Sequence, residues 1–127
     1  MKNTRYFVAG HKGLVGSAIM RALRKNVDEI NIITSNREEV DLINQQQTQE
    51  FFEANRPNIV IGCAAKVGGI HANNTLQADF IRDNLLIQNN LLHFSHIYGV
   101  DKFIFLGSSC VYPKNNPIPI KEERLLS

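Results

Sequence analysis

The sequence predicts an α/β fold, a Rossmann-like doubly wound parallel sheet. Three observations carry this. Short β-rich runs alternate with helix-patterned stretches along the 127 residues, and strand–helix–strand units force a mostly parallel sheet with helices on both faces. Within residues 58–65 the stretch IVIGCA, and at 103–106 the stretch FIFL, are apolar at successive positions, as strands covered on both faces should be. The first β-rich run also ends on a glycine-rich turn that opens a helix pattern.

Taken in order, residues 5–9 (RYFVA) form the first strand and stop at Gly10. Residues 16–25 place Ala18, Ile19, Ala22 and Leu23 on one stripe and predict a helix. Residues 30–34 (INIIT) predict a second strand, followed by polar 35–39 and Val40-Asp41-Leu42. Residues 45–55 predict a helix with Phe51, Phe52 and Ala54 as apolar positions, stopped by Pro57. Residues 58–65 are the third strand, 76–98 a long helix and 103–106 the fourth strand. The long helix carries two apolar stripes, Phe80, Ile87, Leu91, Phe94 and Tyr98 on one face and Ile81, Leu85 and Leu92 beside it. One stripe suffices to cover a sheet, which leaves the other for a partner chain. Residues 113–119 are Pro/Asn-rich loop, and Lys121-Glu122-Glu123 predicts the start of a further helix. No repeat, low-complexity tract or linker divides the chain, so residues 1–127 are expected to form a single domain.

Composition narrows the function classes. At 43% hydrophobic and 20% charged the chain is ordinary globular protein. Fourteen Lys+Arg against twelve Asp+Glu leave a net charge of +2, too weak and scattered to suggest nucleic acid or an anionic membrane. No apolar run approaches the ~20 residues that span a bilayer, and no leader pattern opens the chain. Cys63 and Cys110 read as free thiols, and with them the cytoplasm is the expected compartment. His93 and His96 are three apart on a helix with no third ligand in view, so no metal site is expected.

Chemistry begins at Gly10-His11-Lys12-Gly13-Leu14-Val15-Gly16, a G-x-x-G-x-x-G turn between strand and helix. Glycine at the strand end permits a tight turn, and glycine at the helix start lets backbone N–H groups approach a diphosphate. The helix N-terminus then offers unpaired donors and partial positive charge. Gly16 allows the helix to pack close on the strand. The second strand ends Thr34-Ser35-Asn36-Arg37, without the acidic residue that an NAD site usually places there. Arg37 and Lys12 instead suit a 2′-phosphate. The expected cofactor is NADP(H), with Glu38 and Glu39 left as residues able to reach a ribose.

Three blocks go further: residues 8–18 (VAGHKGLVGSA), 64–75 (AAKVGGI with ANNT) and 105–113 (FLGSSCVYP). Together they resemble the GDP-L-fucose synthases of the extended short-chain dehydrogenase/reductase family, over almost the whole of this chain but only the N-terminal part of the family's length. The resemblance implies epimerisation of GDP-4-keto-6-deoxy-D-mannose at C3 and C5, then reduction at C4 with hydride from NADPH. It implies Gly10, Gly13, Leu14, Val15 and Gly16 around the diphosphate and Lys12 and Arg37 at the 2′-phosphate. Asp41 and Leu42 would flank the adenine, with Ala64, Ala65 and Lys66 along the cofactor. It implies Ser108 as a hydrogen-bond donor to the C4 oxygen, Ser109 in the same pocket and Cys110 as an acid/base group. Read without it, Ser108 and Ser109 satisfy loop backbone groups, and Cys110 is a small filler.

The family's catalytic Tyr-x-x-x-Lys pair has no good counterpart. Tyr98 and Lys102 match in spacing, but the segment crosses a helix end that Gly99 is expected to cap, so the two do not share a helical face. On the resemblance, the family's histidine for epimerisation and its GDP-sugar-binding domain are expected beyond residue 127. The expectation is an incomplete N-terminal NADP-binding domain, inactive as a reductase by itself, marginally stable, and prone to associate through the helix at 76–98, as a homodimer in the complete enzyme. A sister GDP-keto-deoxy-sugar enzyme such as a colitose synthase, or a non-catalytic nucleotide-binding fragment, are the alternatives.

Overall fold

The computed structural model describes residues 4–125, apart from the side chains of Ile70 and Asn73; both ends of the expected 1–127 domain fall outside that range. Strands β1 (Tyr6–Ala9), β2 (Ile32–Ile33), β3 (Ile59–Gly62) and β4 (Lys102–Phe105) form one parallel sheet in the order β2-β1-β3-β4. Tyr6 pairs with both Ile32 and Ile59, and Ile59 with Lys102. The chain steps outward from β1 to β2, then returns to the other side of β1 for β3 and β4. The order therefore reverses between β1 and β3, which opens a crevice at the carboxyl ends of those strands.

Strand periodicity divides the buried residues between two faces. Phe7 and Ala9 of β1 and Val60 of β3 face α2 (Gln45–Asn55) and α4 (Gln77–Ile97), where they meet Phe52, Ile87, Leu91 and Phe94. Val8 and Ile61 point the other way, onto Met20 of α1 (Leu14–Leu23). Phe7, Phe52, Leu91, Val8 and Val60 are completely buried, each contributing roughly 1.5–3 kcal/mol by burial.

Local signals fix the helix ends. The Asn44 side chain accepts the Gln47 backbone N–H at 3.0 Å to cap α2. At its other end Arg56 takes a left-handed conformation, φ +44°, with its guanidinium 4.6 Å from the centre of the Tyr98 ring, and the buried Pro57 follows. Helix α4 ends where Gly99 adopts φ +67°. Its Ile87, Leu91 and Phe94 are buried, whereas Ile81, Leu85 and Leu92 stay 62%, 47% and 52% exposed, the division the two stripes predict.

Five elements differ from the sequence reading, the first being β3, expected over 58–65 but confined to Ile59–Gly62, the four residues that pair with β1 and β4. The strand expected over 30–34 is reduced to two residues, because Glu29–Asn31 form a 3-10 turn. Arg24 and Glu29 form an exposed ion pair at 2.8 Å across this connection, and β2 joins the ladder only beside Tyr6 and Phe7, the first half of β1. Helix α1 begins at Leu14 rather than at residue 16, since Gly13 already serves as its N-cap. A short helix, α3 (Ile70–Thr75), was not expected at all; six residues are too few to show a period. The helix expected at 121 is only a 3-10 turn, Glu122–Arg124. Strand β4 is an edge of the sheet among the described residues, with Ile104, Phe105 and Leu106 all exposed.

Candidate functional site

A cleft of about 540 Å³ lies at the strand-order reversal. Its base is the turn between β1 and α1. Gly10 has φ +79°, a conformation that favours glycine. A Cβ there would stand 2.7 Å from the Ala64 backbone nitrogen, so β1 and the segment after β3 touch backbone to backbone. Gly16 is buried, and a Cβ on it would overlap the Gly10 carbonyl. Helix α1 thus packs against the start of the loop itself. The Gly13 N–H donates to the Gly10 carbonyl at 3.0 Å, and no side chain caps the helix. The first turn of α1, Leu14 to Gly16, therefore presents helix N-terminal N–H groups to the cleft.

Two walls flank this turn. The first follows β2: Ser35, Arg37, Val40, Asp41, Leu42 and Ile43. It is shaped by Glu39, whose carboxylate accepts the Asn36 backbone N–H at 2.9 Å and the Asn36 side chain at 3.3 Å. The bond from the Asn36 backbone holds the Glu39 carboxyl below its usual range, with Lys12 and His11 adding attraction from the glycine turn. Glu39 is thereby occupied in fixing the turn that carries Arg37. The second wall follows β3: Cys63, Ala64, Ala65, Lys66 and Val67. Burial raises the Cys63 thiol above its ordinary value, which keeps it a neutral wall residue. Ile87 and Leu106 complete the lining.

Of the residues read from sequence, Gly10, Gly13, Leu14, Val15, Gly16, Arg37, Asp41, Leu42, Ala64, Ala65 and Lys66 all line this one cleft. Lys12 is exposed on the glycine turn but is not part of the lining. The Lys66 side chain turns away from it. Its ammonium meets Asp83 at 2.6 Å and lies 5.5 Å from the Phe80 ring centre. Asp83 is 4% exposed, and Lys66, then Arg82 at 2.8 Å, hold its carboxyl below the usual range. Ser108 and Cys110 are exposed and outside the lining. The Ser108 hydroxyl accepts the Cys110 N–H at 3.2 Å and caps the 3-10 turn Ser109–Val111. Tyr98 and Lys102 sit on either side of the end of α4 and the start of β4, so they form no single-face pair.

Sequence reading missed Ser35, Val40, Ile43, Cys63, Val67, Ile87 and Leu106 as lining residues. It also missed Asp83 and Asn90, buried polar groups on the apolar face of α4. Their helical spacing with Ile87 and Phe94 was the available signal. Among the described residues no group of three or more His, Cys, Asp or Glu could hold a metal ion, and no helix is long and apolar enough to cross a membrane.

The cradle fits a dinucleotide diphosphate. A left-handed glycine, a buried glycine and an uncapped helix start leave room for, and donors toward, an anion at the strand-order reversal.

Comparison with known proteins agrees. The profile of the NAD dependent epimerase/dehydratase family matches residues 6–127. GDP-L-fucose synthase 1 of Arabidopsis thaliana is 52% identical over 126 residues, 99% of this chain and 39% of that protein. GDP-L-fucose synthase of Escherichia coli is 45% identical over 126 residues, with 99% and 39% covered. GDP-L-colitose synthase of Yersinia pseudotuberculosis is 30% identical over 123 residues, with 97% and 39% covered. Among solved structures, a GDP-D-glycero-L-gluco-heptose synthase from Campylobacter jejuni, in the presence of NADPH, superposes with a TM-score of 0.91 at 38% identity, over 99% of this chain and 37% of that one. A GDP-L-fucose synthetase from Naegleria fowleri bound to NADP gives 0.86 at 31% identity, over 99% and 40%. The chain spans 36% to 39% of the length of these and other curated relatives.

Proposed function

Since the chain belongs to the NAD dependent epimerase/dehydratase family, we propose that it is the NADP(H)-binding part of an enzyme of GDP-L-fucose synthase type. Such an enzyme epimerises GDP-4-keto-6-deoxy-D-mannose at C3 and C5 and reduces it at C4. The observation that carries the reading is the joining of the glycine turn, Arg37 and the residue 63–67 wall into one cleft at the strand-order reversal.

In this reading the amides of Leu14, Val15 and Gly16 hold the diphosphate, with Gly10 and Gly13 giving it room. Arg37, with Lys12 on the adjoining turn, neutralises the 2′-phosphate. Asp41 and Leu42 flank the adenine, and Ala64, Ala65 and the Lys66 backbone run along the other half of the cofactor. NADPH supplies the hydride. Ser108 donates a hydrogen bond to the C4 oxygen, where negative charge collects in enolisation and in reduction. Cys110 exchanges a proton at the carbon beside the ketone. Among the described residues no tyrosine and lysine are placed to deliver the reduction proton together, so this chain by itself binds without turning over. The exposed Ile81, Leu85 and Leu92 face of α4 pairs with a second copy, and the cytoplasm is the working compartment.

The test is titration of the chain with NADPH and NADH, followed by nicotinamide fluorescence. Saturable binding with NADPH preferred is expected, with no keto-sugar-dependent oxidation. Failure to bind NADPH, or oxidation by residues 1–127 alone, overturns the reading.

A further inference from the structure

Helix α4 runs beneath the cleft and grips both its walls. Three of its residues, Asn84, Ile87 and Asn90, are spaced three apart. At about 100° per residue each step of three leaves a neighbour roughly 60° round the helix, so the two asparagines flank Ile87 on a single arc. Ile87 lines the cleft itself. On one side, Asn84 Oδ1 accepts the Lys66 backbone N–H at 2.7 Å, and Asn84 Nδ2 donates to the Lys66 carbonyl at 3.0 Å. One amide side chain thus satisfies both polar groups of a single wall residue. On the other side, Asn90 Nδ2 donates to the Leu42 carbonyl at 2.8 Å and to the Ile43 carbonyl at 3.2 Å. Asn90 is buried, and a buried amide is retained only where it is hydrogen-bonded.

The two walls serve opposite ends of a ligand. The diphosphate site is at the end of β1, the wall of residues 40–43 follows β2, and the wall of residues 63–67 follows β3. A dinucleotide with its 2′-phosphate at Arg37 lays its adenosine along the first wall and its nicotinamide half toward the second. The second wall also abuts the glycine turn, since a Cβ on Gly10 would meet Ala64 backbone at 2.7–2.8 Å. Its position is therefore not free to vary without moving the cradle. The Lys66–Asp83 pair adds an ionic fastening at the same point.

We propose that Asn84 and Asn90 are positioning residues for the two halves of the dinucleotide, Asn84 holding the nicotinamide-side wall and Asn90 the adenosine-side wall. The proposal rests on the NADP(H) reading above. Neither side chain touches the ligand; each sets where a stretch of backbone stands.

The test uses two ligands that share one end, NADPH and adenosine 2′,5′-bisphosphate, titrated by calorimetry into the chain and its variants below each melting temperature. Asn90→Ala is expected to weaken both ligands by a similar factor, roughly tenfold, the worth of one or two lost hydrogen bonds. Asn84→Ala is expected to weaken NADPH by a similar factor and leave the bisphosphate within about twofold. Phe94→Leu, a core change away from the cleft, should lower the melting temperature and move neither affinity. If Asn84→Ala does not fold, Asn84→Asp keeps the acceptor and loses the donor, and the same split is expected. Equal or absent effects of the Asn84 variants on the two ligands overturn the proposal, as does an Asn90→Ala that spares the bisphosphate. An unaltered chain that binds neither ligand overturns the proposed function itself; one that binds both, with no split among the variants, overturns only the positioning roles.

Discussion

Replacing Gly10 by alanine separates two costs that the structure makes distinct. The first is conformational: φ is +79°, and an L-residue held there costs about 1–2 kcal/mol. The second is steric. The new Cβ would stand 2.7–2.8 Å from Ala64 N, Ala64 Cα and Cys63 C. These are backbone atoms, paired to β1 through the Cys63 N–H bond to the Ala9 carbonyl, and cannot swing aside as a side chain would. Overpacking of this kind costs about 1–3 kcal/mol, for a total of about 2–5 kcal/mol. Gly99→Ala isolates the first term, because Gly99 has φ +67° but open space around it; about 1–2 kcal/mol is expected. Gly107 has no neighbour within 4 Å and no positive φ, so Gly107→Ala should be neutral or slightly stabilising through the unfolded chain. Equilibrium urea unfolding followed by circular dichroism gives all three values. NADPH titration should show binding impaired in Gly10→Ala and intact in Gly99→Ala. A Gly10→Ala no less stable than Gly99→Ala would refute the close backbone approach on which the cleft is built.

Arg37→Ala should raise the NADPH dissociation constant about 10- to 100-fold, the worth of a charged hydrogen bond, and leave NADH unchanged; equal losses for the two nucleotides would remove Arg37 from the 2′-phosphate. Asp83 carries a pH signature. Lys66 and then Arg82 lower its carboxyl pKa, so its stabilisation is complete above its unfolded value, about pH 4, and is lost as pH falls through the lower folded value. Asp83→Asn should therefore be less stable than the unaltered chain at neutral pH, with the gap closing on acidification below about pH 4. Glu39 and Glu29 are lowered likewise, by Asn36 and Arg24, but they are common to both proteins and cancel. A gap in urea midpoints that stays constant to pH 2.5 would contradict the ionic fastening.

Much of the site was legible because its signals are local. Gly10, Gly13 and Gly16 are placed by the spacing of a turn, and Arg37 by the end of a β-rich run, so reading along the chain finds them. Asp83, Asn84 and Asn90 escaped because their partners, Lys66, Leu42 and Ile43, lie 17–48 positions away. A polar residue on an apolar helix stripe announces a buried partner but not which one. The second strand was overextended for a related reason. Residues 30–34 have β composition, yet Glu29–Asn31 close a 3-10 turn, and only Ile32 and Ile33 reach the ladder, beside Tyr6 and Phe7.

By itself the sequence determined the parallel α/β class, the strand–turn–helix cradle and the division of α4 into a buried and an exposed stripe. These follow from periods of two and 3.6 residues and from glycine stereochemistry, which act within a few residues of chain. Only the tertiary structure decided that two separate loops become facing walls, that Lys66 turns its ammonium away from the cleft to Asp83, and that the asparagines of one helix hold both walls. Those outcomes depend on the strand order β2-β1-β3-β4, which brings distant backbone polar groups to a buried helix face where each must find a hydrogen bond.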